Sequence, residues 1–363
     1  MNENMERYFA SLRGKRVLVL GLGVSNRPLA KLLLGAGALV TGCDRAPREQ
    51  QSPEVLALER RGMALRLGER YLQDLSGDLA FRTPGMHPDL PELKALRQSG
   101  TAMTSEMEVF FEVCPCPIIA VTGSDGKTTT TTLISELLKR AGKTVWLGGN
   151  IGTPLLPLAG EMSPSDVAVV ELSSFQLLDM RRSPGVAVVT NVAPIHLDVH
   201  RDMAEYVAAK ENVFRFQGPD GVAVFNADNE ITRAFSQRAR GRVLAFSRRT
   251  RPANGVYLEG DTIYRAGPQP QKLLTRRDIL LPGLHNVENY MAAICATEGL
   301  IPDEAVRAVA GSFGGVEHRI ELVREKAGVR YYNDSIASSP SRTIAGLQSF
   351  SVKLILIAGG YDK

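Results

Sequence analysis

The sequence predicts an α/β protein built from three parts. Three observations carry this. Twice an apolar strand runs into a glycine turn and then a helical pattern, at residues 16–20 followed by Gly21-Leu-Gly23 and at residues 118–121 followed by Thr122-Gly-Ser-Asp-Gly-Lys-Thr-Thr129. A third strand-to-glycine passage, residues 354–357 followed by Gly359-Gly360, lies near the carboxyl end. The chain's 363 residues also exceed what one ordinary core organises. The expected division is a Rossmann-like domain over 1–106, a P-loop-type ATPase domain over 107–315, and the beginning of a second Rossmann-like domain over 316–363.

In the first part, a strand at 16–20 leads through Gly21-Leu-Gly23 into a helix marked by Leu29, Leu32 and Leu33, and a second strand ends near Asp44. This order opens a Rossmann-like unit. The dinucleotide fingerprint requires a third glycine where this chain has Asn26, which argues against a nicotinamide dehydrogenase. A glycine turn at a helix start still offers backbone N–H groups to an anion. Thr83-Pro84-Gly85 forms a second turn able to close the same crevice.

Pro115-Cys-Pro117 then interrupts the chain, and a buried-type strand follows. Three apolar strands in this part end in polar chemistry. Residues 118–121 end in the glycine loop, 167–170 in Glu171, and 186–189 in Thr190-Asn191 with His196 close behind. Ligands of open parallel sheets sit outside the carboxyl ends of the strands, so the three ends are expected to converge. Residues 222–225 add Asn226 and Asp228 in the same manner.

The central loop follows a strand and opens a helix with Leu133, Ile134, Leu137 and Leu138 on one side and Gly142 beyond its end. That context makes it a phosphate loop. Gly123, Ser124, Asp125, Gly126 and Thr129 present backbone to phosphate, Lys127 supplies a point charge, and the Thr128 hydroxyl reaches Mg²⁺. Two residues separate Gly123 from Gly126, against four in the common motif. Glu171 stands where such enzymes place a metal-binding acid. By default His196 is a loop residue and Lys210 a solvated helix lysine.

Formal charge is +4, with 44% hydrophobic and 23% charged residues, which gives no argument for nucleic acid. Arg248, Arg249 and Arg251 read as a solvated loop. Cys43, Cys114, Cys116 and Cys295 lack zinc spacing and are expected to be reduced thiols. No apolar run approaches the ~20 residues of a membrane span. A cytoplasmic monomer without membrane or nucleic-acid partners is expected.

The phosphate loop resembles that of the Mur ligases and folylpolyglutamate synthetases. Further stretches agree in the family's order: Gly148-Gly-Asn-Ile-Gly152, Glu171-Leu-Ser-Ser-Phe-Gln176, His196-Leu-Asp198, Ala208-Ala-Lys210, Gly283-Leu-His-Asn286 with Asn289, and His318-Arg319. The resemblance covers nearly the whole chain. Glu171-Leu-Ser-Ser-Phe-Gln176 and Asn333-Asp-Ser335 are similar to the D-glutamate-adding branch. It implies the three-domain Mur ligase architecture and an ATP-dependent amide ligation in cell-wall (peptidoglycan) precursor synthesis. UDP-N-acetylmuramoyl-L-alanine and D-glutamate are the implied substrates.

The resemblance also implies roles. Gly21, Val24, Ser25, Asp44 and Gly85 would hold the uridine diphosphate, and Asn150 and His196 would meet the UDP-sugar. Asn286 would lie against adenine, and Arg319 and Asp334 would contact ATP. Ser338 and Lys363 would bind D-glutamate. Thr128, Glu171, His196 and a carbamylated Lys210 would serve two magnesium sites, with Lys127, His196 and Lys210 as the catalytic set. Where several relatives carry lysine after Asp-Ser, this chain has Ile336. A strand-to-glycine start at the end predicts that the natural protein continues past Lys363. The alternatives are a folylpolyglutamate synthetase-like ligase and a non-catalytic UDP-sugar or nucleotide-binding module.

Overall fold

The computed structural model describes residues 2–194, 200–337, 340–350 and 352–359. The first part contains α1 (Glu3–Ala10), β1 (Arg16–Leu20), α2 (Asn26–Gly35), β2 (Leu39–Asp44), α3 (Pro53–Arg60), β3 (Ala64–Leu67), β4 (Leu79–Arg82), α4 (Pro91–Gln98), β5 (Ala102–Thr104) and α5 (Glu106–Val113). Its five strands are all parallel, in the order β3-β2-β1-β4-β5. The order reverses at β1, so a crevice opens at the carboxyl ends of β1 and β4. Local chemistry sets the helix starts. Ser52 caps α3, which has Pro53 in its first turn, and Ser105 caps α5. Asn2 caps α1, and its amide donates to the Val113 and Ala159 carbonyls at 2.6 and 3.0 Å. One residue thereby joins the amino terminus to both α5 and the central part.

The central part contains β6 (Ile118–Thr122), α6 (Lys127–Arg140), β7 (Val145–Gly149), β8 (Val167–Glu171), α7 (Ser174–Leu177), β9 (Val186–Val189), α8 (Met203–Arg215), β10 (Val222–Asn226), α9 (Glu230–Phe235), β11 (Arg242–Ser247), β12 (Gly255–Glu259), β13 (Thr262–Arg265), β14 (Gln271–Thr275), α10 (Leu284–Ala296) and α11 (Asp303–Ala310). Nine strands form one sheet in the order β14-β13-β12-β11-β10-β9-β6-β8-β7. Strands β6 to β12 pair in parallel, and β13 and β14 close one edge antiparallel. β6, β8 and most of β9 are buried on both faces, which explains their unbroken apolar runs. Ile119, Val121, Val169 and Val188 pack under Leu133, Leu137 and Tyr290 of α6 and α10. The opposite face, with Ala120, Val170 and Val189, joins Phe214, Phe110 and Leu29 in a core that runs on into the first sheet.

The last part contains β15 (Glu321–Lys326), β16 (Val329–Asn333) and α12 (Pro340–Leu347). The strand expected at 329–332 is present, but it pairs antiparallel with β15. The strand expected at 354–357 is not formed among the described residues, and Ile355 and Ile357 are exposed. Apolar content alone does not make a strand, because a strand persists only where a neighbour takes its N–H and C=O groups.

Candidate functional site

β6 lies between β8 and β9, so the three strand ends picked out in the sequence are adjacent. The chain leaves β6 through Gly123 at φ +152° and enters α6 through Gly126 at φ +80°. A Cβ on Gly123 would sit 1.9 Å from Thr190 Oγ1, and one on Gly126 2.4 Å from Asn289 Oδ1. Both glycines are therefore required by space as well as by backbone angle. The loop is tied to the end of β9. Ser124 and Asp125 N–H groups donate to the Asn191 carbonyl and side-chain oxygen, each at 2.9 Å, and Thr190 Oγ1 donates to the Asp125 carbonyl at 2.6 Å.

Two lysines meet at one carbonyl. Lys127 Nζ donates to Gly123 O and Ser124 O at 3.1 Å each, and Lys210 Nζ donates to the same Gly123 O at 2.8 Å. The sequence pattern predicts a solvated Lys210. Instead it is 1% exposed, on the inner side of α8, with its ammonium 4.6 Å from the centre of the Tyr206 ring. Burial and then the Lys127 charge drive its amine well below the ordinary lysine range. The expectation fails because α8 packs this lysine directly against the loop.

Glu171 closes β8 and is 1% exposed. Its Oε1 accepts from Asn150 Nδ2 at 2.8 Å, while its Oε2 has no hydrogen-bond partner among the described residues. A buried carboxylate oxygen left open beside a phosphate loop fits a hard divalent cation. Asn150 is held by its own N–H donating to the Glu171 carbonyl at 2.8 Å.

A cavity of about 250 Å³ adjoins the loop, lined among others by Gly126, Thr129, Asn286, Asn289, Arg319 and Asp334. Asn286 is fixed by donating to the Pro282 carbonyl at 2.7 Å and accepting from Asn289 at 3.1 Å. Arg319 reaches across from the last part, its Nη2 donating to Thr128 Oγ1 at 3.2 Å. His318 and Ile320, on either side, have φ of +64° and +47°. A β-branched residue at positive φ is strained, and such strain clusters at functional sites. Asp334 accepts from Ile320 N–H at 3.2 Å, and burial pushes its carboxyl up.

In the first part, Gly21, Val24, Ser25 and Asp44 lie at the carboxyl end of β1 and β2, and Gly85 follows β4. Asp44 accepts from Leu22 and Ala46 N–H at 2.8 and 2.9 Å, and Asn26 donates to the Gly21 carbonyl at 2.8 Å. Val24 is exposed, and Ser25 makes no capping bond, so both are open to a ligand. His196, Ser338 and Lys363 lie outside the described residues.

Sequence reasoning misses two features. Arg82 is 1% exposed and donates to the carbonyls of Thr83, Pro84 and Met86, pairing across to Asp179 beyond α7. It couples the Thr83-Pro84-Gly85 turn to the segment after Glu171. Nothing local marks it, since its partner is 97 residues away. Arg248, which reads as part of a solvated cluster, donates to Glu288 beside the cavity at 2.5 Å.

The central part matches the Mur ligase middle domain over residues 121–297. The whole chain is 52% identical to a UDP-N-acetylmuramoylalanine–D-glutamate ligase of Acetivibrio thermocellus, covering 78% of that protein. It is 49% identical to the ligase of the same name from Ruminiclostridium cellulolyticum, again over all of this chain and 78% of the relative. Among solved structures, a UDP-N-acetylmuramate-alanine ligase from Thermotoga maritima shares the fold at a TM-score of 0.54 and 20% identity. That likeness spans 92% of this chain and 77% of that one. With a relative so similar from end to end, and the phosphate loop inside the matched middle domain, this chain belongs to the Mur ligase family, among its UDP-N-acetylmuramoylalanine–D-glutamate ligases.

Proposed function

We propose that this protein joins D-glutamate to UDP-N-acetylmuramoyl-L-alanine at the expense of ATP, in peptidoglycan precursor synthesis in the cytoplasm. The observation that carries the reading is the convergence of Lys127, Lys210, Arg319 and the open Glu171 oxygen on one phosphate loop. An L-alanyl carboxylate oxygen attacks the γ-phosphorus, the bond to the ADP oxygen breaks, and an acyl phosphate forms. The D-glutamate amine then attacks the acyl carbon, loses a proton, and inorganic phosphate leaves. The first step brings two anions together, and preorganised cations lower its barrier.

Lys127 and Arg319 are the fixed positive groups at that point. Thr128 and Glu171 suit one magnesium ion, which when bound neutralises the phosphate oxygens. Lys210 supplies the second part of the proposal. A buried amine whose charged form is disfavoured can add to carbon dioxide and lose a proton, and the resulting carbamate would be an anionic ligand where a charged lysine would repel a cation. So modified, Lys210 would join Glu171 as a ligand for a second magnesium ion. Gly21, Val24, Ser25, Asp44 and Gly85 hold the uridine diphosphate at the first sheet, and Asn150 faces the sugar. Asn286 lies against adenine, and Asp334 joins Arg319 at the nucleotide.

The test is ADP and phosphate release with UDP-N-acetylmuramoyl-L-alanine, ATP and Mg²⁺, comparing D- with L-glutamate and the muramoyl substrate with a folate. Release that requires the muramoyl substrate and D-glutamate is expected. Equal turnover of the folate would reassign the protein. Nucleotide binding without ADP release would make it a binding module.

A further inference from the structure

The segment between α5 and β6 contains Cys114-Pro115-Cys116, which the ligase chemistry does not use. We propose that this pair is a dithiol modification site, closing to an intramolecular disulfide under peroxide and capturing a trivalent arsenical when reduced. The local backbone brings the sulfurs together. Cys114 ends α5 in an extended conformation, φ −61° and ψ 123°, and Pro115 keeps the chain from turning back into helix. The chain then bends at Cys116, two residues on, and turns its side chain toward that of Cys114. The two Sγ atoms are 3.5 Å apart, and the Met162 sulfur lies 3.9 Å from that of Cys114. A disulfide needs ~2.05 Å, so each sulfur moves by less than about 1 Å to form the bond.

The other two cysteines provide the contrast. Burial pushes the Cys43 and Cys295 thiols up to about 12, which leaves them protonated and inert. The hydrogen-bonding contact with the Cys114 sulfur holds Cys116 below the ordinary thiol range, with burial opposing. Cys114 is pushed up by the same contact but is partly exposed. The pair thus sets a partly exposed thiol directly against a buried one.

The step balances. One sulfur of the pair attacks one peroxide oxygen, the O–O bond breaks, and water leaves a sulfenic acid. The other sulfur then attacks that sulfur and expels a second water. Two thiols and one hydrogen peroxide give one disulfide and two waters. In the reduced protein, phenylarsine oxide would bridge both sulfurs and release one water.

The experiment is peptide mapping of the native, unmutated protein. After hydrogen peroxide, the peptide carrying both cysteines should lose two hydrogens and regain them with dithiothreitol. Phenylarsine oxide should add once per chain, and peroxide pretreatment should block it. Cys114→Ser or Cys116→Ser should abolish both reactions, with Cys43 and Cys295 unmodified throughout. Oxidation to sulfinic acid without the two-hydrogen loss, or a cross-link to Cys43 or Cys295, would overturn the proposal. So would an arsenical bound equally well by the single-serine variants.

Discussion

Two glycine turns of similar design, after β1 and after β6, each leave an interior parallel strand and open a helix. The turn after β1 is wired by neutral and acidic groups: Asp44 takes Leu22 N–H and Asn26 takes up the Gly21 carbonyl. The turn after β6 is wired by basic side chains, with Lys127 and Lys210 on the Gly123 carbonyl and Arg319 on Thr128. Similar backbone is therefore dressed with different chemistry. A turn whose donors already face a carboxylate suits a sugar-nucleotide's hydroxyls and amides. A turn lined by basic side chains suits a polyphosphate with its metal. The difference lies in the side chains delivered from distant segments.

The largest effect should separate the two turns outright. Lys127→Ala is expected to slow ADP release by about 10³-fold, the scale of losing a preorganised charge partner. Binding of the UDP-substrate, followed by calorimetry without ATP, should be unchanged. If that binding fell in parallel, the division of labour between the turns would be lost. Lys210→Ala should lose comparable activity, with partial recovery in added acetate or propionate. An active variant that ignores those acids would count against carbamylation.

Next comes the link between the first and central parts. Arg82→Met removes the buried charge that ties the turn after β4 to the segment after α7, and should cost about 3 kcal/mol, toward the lower end for a buried pair because Asp179 remains partly wetted. KM for the UDP-substrate should rise while KM for ATP holds. Arg82→Lys should restore part of the stability and little of the KM. Equal rises in both constants would make Arg82 a purely structural residue.

The last effect, spread over a pH range, concerns Glu106 at the start of α5 between the two sheets. Burial raises its carboxyl to about 7, with the Leu156 N–H opposing. A carboxyl whose folded pKa exceeds its unfolded value binds more protons in the folded state. Stability should therefore fall as pH rises from about 4.5 to 7, by up to about 3 kcal/mol. Glu106→Gln should flatten that slope in chemical denaturation, and an unchanged slope would place the titration elsewhere.

Much of the fold and of the phosphate site is legible in the amino-acid sequence. The strand, loop and helix around Lys127 follow from an apolar run, two glycines and a periodic helix. Glu171 follows from its place at a strand end, and Asn26 argues against the dinucleotide fingerprint. Burial of charge is not legible in the same way. Lys210 sits on a helix whose pattern reads as half solvated, and Arg82 ends an ordinary short strand. The run at 354–357 shows the reverse error, since its apolar residues promise a strand that no described neighbour completes.

Local patterning and backbone chemistry were enough to settle where strands, turns and helix starts fall, because those depend on residues a few positions apart. The meeting of two lysines at one carbonyl, the arginine buried between sheets and the open carboxylate oxygen were settled only when the chain folded. Each depends on partners tens of residues away, and the cost of burying a charge is set by those partners rather than by the charged residue itself.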